Sequence, residues 1–200
     1  MQILKDEIKN AIVEAAVKEF ALYGYENSSM RDIAHSAGIS VSNTYHYYQS
    51  KEQLFSSLVE PVGEQVKTIF KTTLAQSADG GLYQNQIEVF VDNIVTALLG
   101  MDNRRRGLLL ILAEKSAGTK YESFKKEIVS LLGKHLLEAA GKPGNASESA
   151  ESRDYIFHII AANYIDGLLK ILKDYRSRKW AKANMKTLLT YHLNGIKALI

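Results

Sequence analysis

Apolar residues recur three and four positions apart along almost the whole chain, and no segment alternates with the period of two that marks a half-buried strand. Proline occurs only twice. The pattern predicts an all-α protein. Ile8, Ile12, Ala16 and Phe20 share one face of a first helix, and Gly24 is placed to end it in a left-handed turn. Two short helices are expected within 29–47 and a longer one after Ser50. Pro61 falls inside that longer helix, where its missing donor and its ring predict a kink. AQSADGG (75–81) predicts a break. A helix then runs through Ile87, Phe90, Ile94 and Leu98 to Gly100, and a shorter, very apolar one covers 108–118. Tyr121, Phe124, Ile128, Leu131, His135 and Leu136 mark the next, and GKPGNASESAES (141–152) predicts a mobile loop.

The last two helices are expected over about 153–175 and 179–198. The first is apolar on two sides, through Ile156, Ile160, Leu168 and Ile171 and through Tyr155, Ile159, Tyr164 and Leu172. The second carries Met185, Leu188, Leu189, His192, Leu193 and Ile196. A helix apolar around most of its circumference is buried on more than one side. Two such stripes predict a homodimer through the last two helices, with the central helix of a monomeric bundle as the alternative.

Composition narrows the class without naming it. A chain of 200 residues, 46% hydrophobic and 24% charged, has room for one sizeable domain or two small ones. The absence of cysteine excludes disulfides and thiolate chemistry and fits a cytoplasmic location. The acids in MQILKDEIKNAIVEAAVKEF argue against a signal peptide, and no run approaches the roughly 20 apolar residues of a membrane helix, so no membrane partner is expected. The net charge of +3 is unevenly placed: residues 1–60 hold five basic groups against eight acids, a balance of −3. Any nucleic-acid site there must rely on a few well-placed cations.

The stretch SSMRDIAHSAGISVSNTYHYYQSKEQLF (28–55) carries the chemistry. Ser29 with Asp32, and Ser50 with Gln53, fit capping boxes, and Ser40 can cap the helix between them. Gly38 breaks two short helices into the tight turn of a helix-turn-helix, with Ala34 small at the crossing and Ile39 able to plug the turn. At about 100° per residue, Val41, Thr44 and Tyr48 face inward, and Ser42, Asn43 and His46 face outward with Tyr45 and Tyr47 at the flanks. Small hydrogen-bonding groups and rings are what a major groove is read with. Tyr45 is placed to meet a phosphate through its hydroxyl. Lys51, at the start of the next helix, is a second phosphate candidate beside free backbone N–H groups. The bland alternative makes the tyrosines core, and it is adopted for Tyr48. No acid or His stands at metal-ligand spacing from His46, and no metal or cofactor is expected.

GYENSSMRDIAHSAGISVSNTYHYYQSKEQLF resembles the N-terminal domain of TetR-family transcriptional repressors, with the breaks, "DIA", "AGIS", Tyr45, an aromatic at 48 and "SKEQL" in register over 8–55. The resemblance implies a three-helix DNA-binding head, a connecting helix, and a larger C-terminal domain that holds a small-molecule pocket and dimerises through its last two helices. The corresponding division is 1–50 and 51–200. It implies DNA contacts at Arg31, Val41, Ser42, Asn43, Tyr45, His46, Tyr47 and Lys51, and Ser29 and Ser40 complete the candidate DNA-binding set. Two departures stand out: Thr44 where the family has an aliphatic residue, and Tyr48 where it often has phenylalanine. A buried Thr44 hydroxyl must find a partner, such as its own helix's carbonyl, or cost stability.

Nothing in 61–200 spells a catalytic site, so no enzyme is expected. NRRRG (103–107) and YRSRKW (175–180) read as solvated surface or loop rather than as a second nucleic-acid site. Glu114, Ser116, His135, His158, Asn163 and Tyr164 are polar groups set among apolar ones that could direct an unknown small-molecule effector in a mostly apolar pocket. The function expected is a DNA-binding regulator, a repressor released from a palindromic double-stranded operator by that effector. The alternative is a helical small-molecule sensor or carrier that no longer reads DNA.

Overall fold

The computed structural model describes the backbone of residues 2–77, 84–140 and 150–197, and within these the side chains of 5–73, 92–138, 140, 151–192 and 194–196. Among the described residues all regular structure is helical: α1 (Gln2–Tyr23), α2 (Met30–Ser36), α3 (Val41–Tyr47), α4 (Lys51–Ser77), α5 (Gln84–Gly100), α6 (Asn103–Glu114), α7 (Phe124–Ala139), α8 (Ala150–Lys173) and α9 (Arg178–Lys197). The predicted break at 75–81 starts later, because α4 continues to Ser77, and its remainder lies outside the described residues. The predicted loop at 141–152 loses its last three residues to α8, and 141–149 lie outside the described residues. Side chains of Ile87, Phe90 and Leu193 are likewise outside them. Pro61 lies inside α4, which stays helical on both sides of it.

The largest revision is α6, which begins at Asn103 and not at 108. Its first turn is polar, so hydrophobic periodicity misses it. Asp102 starts it instead: its carboxylate accepts the Arg105 N–H at 2.8 Å.

The chain forms two compact units, Met1–Gln65 with Gly107–Lys125, and Val66–Arg106 with Lys126–Ile200. The first therefore extends past the three-helix head and takes in the end of α6 and the turn before α7. Its core is built on Ile12, Ala16, Phe20, Ile33, Ala34, Leu54, Phe55 and Val59, all without exposed surface. Phe20 meets Phe55 edge-on at 5.0 Å between ring centroids, Tyr25 meets Phe55 at 5.1 Å, and Tyr121 closes on Phe55 at 6.2 Å. The Tyr25 N–H donates to the Lys115 carbonyl at 2.9 Å, tying the end of α1 to the end of α6. A side chain on Gly118 would come 2.9 Å from Glu26, and one on Gly63 would come 3.0 Å from Leu112.

In the second unit α9 packs on both α8 and α5. Ile94, Val95, Leu132, Ala161, Ala181 and Met185 are buried there. Gly133 lets α7 approach the α8 backbone, since a Cβ would lie 3.3 Å from the His158 Cα.

By length and composition alone, Glu151–Lys173 is apolar enough to cross a membrane, although no single run of its sequence is uninterrupted. It buries Phe157, Ala161, Tyr164, Ile165, Leu168, Leu169 and Leu172, the pattern of a helix packed among other helices.

Candidate nucleic-acid interface

The segment from Ser29 to Lys51 is held by local hydrogen bonds that its sequence specifies. The Ser29 hydroxyl accepts the Asp32 N–H at 3.1 Å and donates to the Asp32 carboxylate. The carboxylate thus takes the serine O–H, a variation on the capping box. α2 ends in a double closure: Gly38 N–H donates to the His35 carbonyl and Ile39 N–H to the Ala34 carbonyl, both at 3.0 Å. Gly38 sits at φ +70°, which a side chain would strain. Ser40 caps α3 by accepting the Asn43 N–H at 3.2 Å. At α4 the Ser50 hydroxyl accepts the Gln53 N–H at 3.0 Å, but the Gln53 side-chain oxygen accepts from Gln49 N–H at 2.6 Å, one residue earlier than a strict capping box.

This frame fixes which side chains of α3 face out. Ser42, Tyr45 and His46 are exposed, Asn43 and Tyr47 are half-buried, and Arg31 stands exposed on α2. Ser29 is half-buried and Ser40 exposed. Thr44 has no exposed surface, and its hydroxyl donates to the Ser40 carbonyl at 3.2 Å. That carbonyl already accepts the Thr44 N–H at 3.1 Å, so the buried hydroxyl shares an acceptor. Val41 corrects the helical wheel: it is 38% exposed, whereas Tyr48 is buried. Tyr48 ends the helix in an extended conformation (φ −137°, ψ 114°), so its direction is no longer that of a wheel position. Val41 remains among the outward candidates, where its methyl groups suit a thymine methyl.

Lys51 is turned inward. Its ammonium donates to the Tyr25 carbonyl at 2.6 Å and the Ser28 carbonyl at 2.8 Å, and lies 4.2 Å from the centre of the Tyr25 ring. Burial lowers its pKa from the ordinary lysine value, partly offset by Glu26. In this arrangement Lys51 clips the start of α4 to the α1–α2 turn, and two of its three N–H donors are engaged. The head's acidity is also tangible: burial, then the nearby Asp32, raises the Glu19 carboxyl above its ordinary range.

The effector candidates fall in both units. Glu114 and Ser116 belong to the first unit, and His135, His158, Asn163 and Tyr164 to the second. Ser116 is buried and donates to the Leu112 carbonyl at 2.8 Å and the Tyr121 carbonyl at 3.1 Å, shaping the α6–α7 turn. Glu114, His158 and Asn163 are exposed. His135 is half-buried, and burial lowers its pKa. Tyr164 is 4% exposed, and its hydroxyl has no hydrogen-bond partner among the described residues; burial pushes its pKa up. Its ring meets His192 edge-on at 5.3 Å. Sequence periodicity gave no hint of that pairing, nor of the Phe20–Tyr25–Phe55–Tyr121 ring cluster, because each joins residues far apart in the chain.

A capped helix, a glycine-closed turn and a second helix with a polar outer face make a helix-turn-helix. Residues 12–58 match the family described as "Bacterial regulatory proteins, tetR family". That match covers the helix-turn-helix and the start of α4. The uncharacterized HTH-type transcriptional regulator YdgC of Bacillus subtilis (strain 168) is 27% identical over 71 residues, 36% of this chain and 36% of its own length. The HTH-type transcriptional regulator BetI of Agrobacterium fabrum is 33% identical over 67 residues, 34% of this chain and 31% of its own. The matches thus span about a third of each relative. The fold extends further. A TetR-like transcriptional regulator from Rhodococcus sp. RHA1 superposes with a TM-score of 0.56 at 22% identity, covering 94% of this chain and 96% of that one. NalD of Pseudomonas aeruginosa, described as the secondary repressor of the MexAB-OprM multidrug efflux pump, does so at 0.56 and 17% identity, over 95% and 96%.

Proposed function

We propose that the protein is a homodimeric DNA-binding transcriptional regulator of the cytoplasm, a repressor released from a palindromic operator by a small-molecule effector. The observation that carries this reading is the outward face of α3, where Ser42, Tyr45 and His46 stand exposed on a helix fixed by the Ser40 cap and the Gly38 turn. Entering two major grooves, the α3 helices of a dimer would read half-sites about one turn apart, roughly 34–36 Å, or a multiple of that. Apolar exposure on the last two helices supports the dimer: Tyr155 is 65% and Tyr191 74% exposed. The buried, unpartnered Tyr164 hydroxyl supports an effector able to hydrogen-bond within an apolar surround. Because the first unit includes Gly107–Lys125, and Tyr25 N–H is bonded to Lys115, a displacement of the α6–α7 turn would carry the head with it. A coupling of roughly 1–3 kcal/mol between effector and operator would suffice for a response.

Footprinting over the region upstream of its own gene tests this. The expected result is a protected palindrome at moderate salt, lost in Asn43→Ala and Tyr45→Ala. The acidic balance of residues 1–60 favours the second reading, a sensor or carrier whose head is silent. That reading requires no protected site and an unchanged cellular role in both variants.

A further inference from the structure

The two basic runs, separated by about seventy residues of sequence, meet in the second unit. Arg106 joins them. The residue is 8% exposed, and its guanidinium donates to the Met101 carbonyl and to the Asn103 side-chain oxygen and lies 4.1 Å over the centre of the Tyr175 ring. It therefore fixes the first turn of α6 against the α8–α9 turn. Around it Arg104, Arg105, Arg176, Arg178 and Lys179 are all exposed. Residues 102–107 and 174–180 hold six cations against two carboxylates. Both carboxylates are engaged: Asp102 caps α6 and lies 3.9 Å from Arg105, and Asp174 pairs with Lys170 at 2.9 Å. Among the described residues Arg104, Arg106, Arg176, Arg178 and Lys179 are in no ion pair. So many like charges at one place repel one another, in a chain whose whole net charge is +3.

We propose that this cluster is a second contact surface for duplex DNA, engaging backbone phosphates. Three observations select that partner. Five of the six cations are arginine, whose planar fork matches phosphate oxygens in pairs. The head holds five cations against eight acids over residues 1–60, so it has few cations to offer phosphates, and a basic cluster elsewhere adds to them. And the buried Arg106 presents its neighbours on two anchored helix starts rather than on a free tail. The surface carries no sequence information; it adds affinity and salt dependence. The inference rests on the DNA-binding reading of α3.

The test is the salt dependence of binding to a mixed-sequence duplex, comparing the full-length protein with a variant carrying Arg104→Gln, Arg105→Gln, Arg176→Gln, Arg178→Gln and Lys179→Gln. Arg106 is kept so that the turn stays anchored, and a thermal melt checks folding. Two or more phosphates per protomer released from contact would lower the slope of log K against log salt by about 2 or more and weaken binding roughly tenfold or more at moderate salt. An unchanged slope in the variant overturns the proposal while leaving the regulator reading intact. Full binding by Tyr45→Ala with none by the cluster variant sinks the regulator reading and leaves the cluster standing. A native protein that ignores the duplex but sediments with anionic phospholipid vesicles, in a cluster-dependent way, overturns both.

Discussion

Each compact unit contains a cation turned inward over a tyrosine ring, and the two solve one problem differently. Lys51 lies 4.2 Å from the Tyr25 ring and donates to two backbone carbonyls; Arg106 lies 4.1 Å from the Tyr175 ring and donates to a carbonyl and an amide oxygen. Among the described residues neither is in an ion pair with a carboxylate. Both fasten the first turn of a helix to a turn elsewhere in the chain. Lysine is a flexible point charge that remains half-exposed with a donor to spare, whereas arginine's plane lets Arg106 be buried while stacking and donating at once. A half-exposed clip can still lend its charge to a phosphate, and a buried one acts through the residues it positions.

Truncation of the tyrosines should separate the units most. Tyr25→Ala removes the ring beneath Lys51 and breaks contacts with Phe20 and Phe55, and should destabilise the protein by about 3 kcal/mol. Tyr175, whose ring supports Arg106, should cost less than half of that in a urea titration. Arg106→Leu should cost about 2 kcal/mol, because the Met101 carbonyl loses a charged donor inside the protein. A loss within error would show that the guanidinium is not the anchor of the α8–α9 turn.

Lys51→Met tests the other clip and sharpens its role. A purely structural Lys51 predicts a loss of about 1 kcal/mol in stability with the salt slope of DNA binding unchanged; a phosphate contact predicts a slope lower by about 1. Thr44→Val should change stability least, by under about 1 kcal/mol in either direction. The hydroxyl it removes shares an acceptor that stays bonded to the Thr44 N–H.

The units should also differ toward acid. Burial lowers the His135 pKa, so the folded protein binds this proton less readily than the unfolded chain. The sign follows: the contribution is complete above the ordinary histidine pKa of about 6.5 and is lost as pH falls through the lower folded value. Melting followed from pH 7.5 to pH 5 should show a decline in Tm that His135→Gln reduces. An undiminished decline would place the acid sensitivity elsewhere.

Local chemistry in the sequence determined the helix starts at Ser29, Ser40 and Ser50, the glycine turn at Gly38, and the outward set on α3. Each depends on a residue and neighbours within four positions, where hydrogen-bond reach and helical pitch leave little choice. The wheel placed Thr44 inward but left its hydroxyl's partner open, and the Ser40 carbonyl meets it. The same rules missed the first turn of α6, whose start rests on one aspartate with no apolar period to announce it, and misjudged Val41, the first residue of α3, which is exposed. Tertiary structure alone decided where the cations went. Lys51 read as a phosphate contact and the NRRRG run as solvated surface, yet the ring and carbonyls that draw Lys51 and Arg106 inward come from segments folded beside them, Tyr25 lying 26 residues from Lys51 and Tyr175 much farther from Arg106. A charge declares its sign in the sequence, but its partner is set by which distant backbone carbonyls and ring faces the packed helices bring within reach.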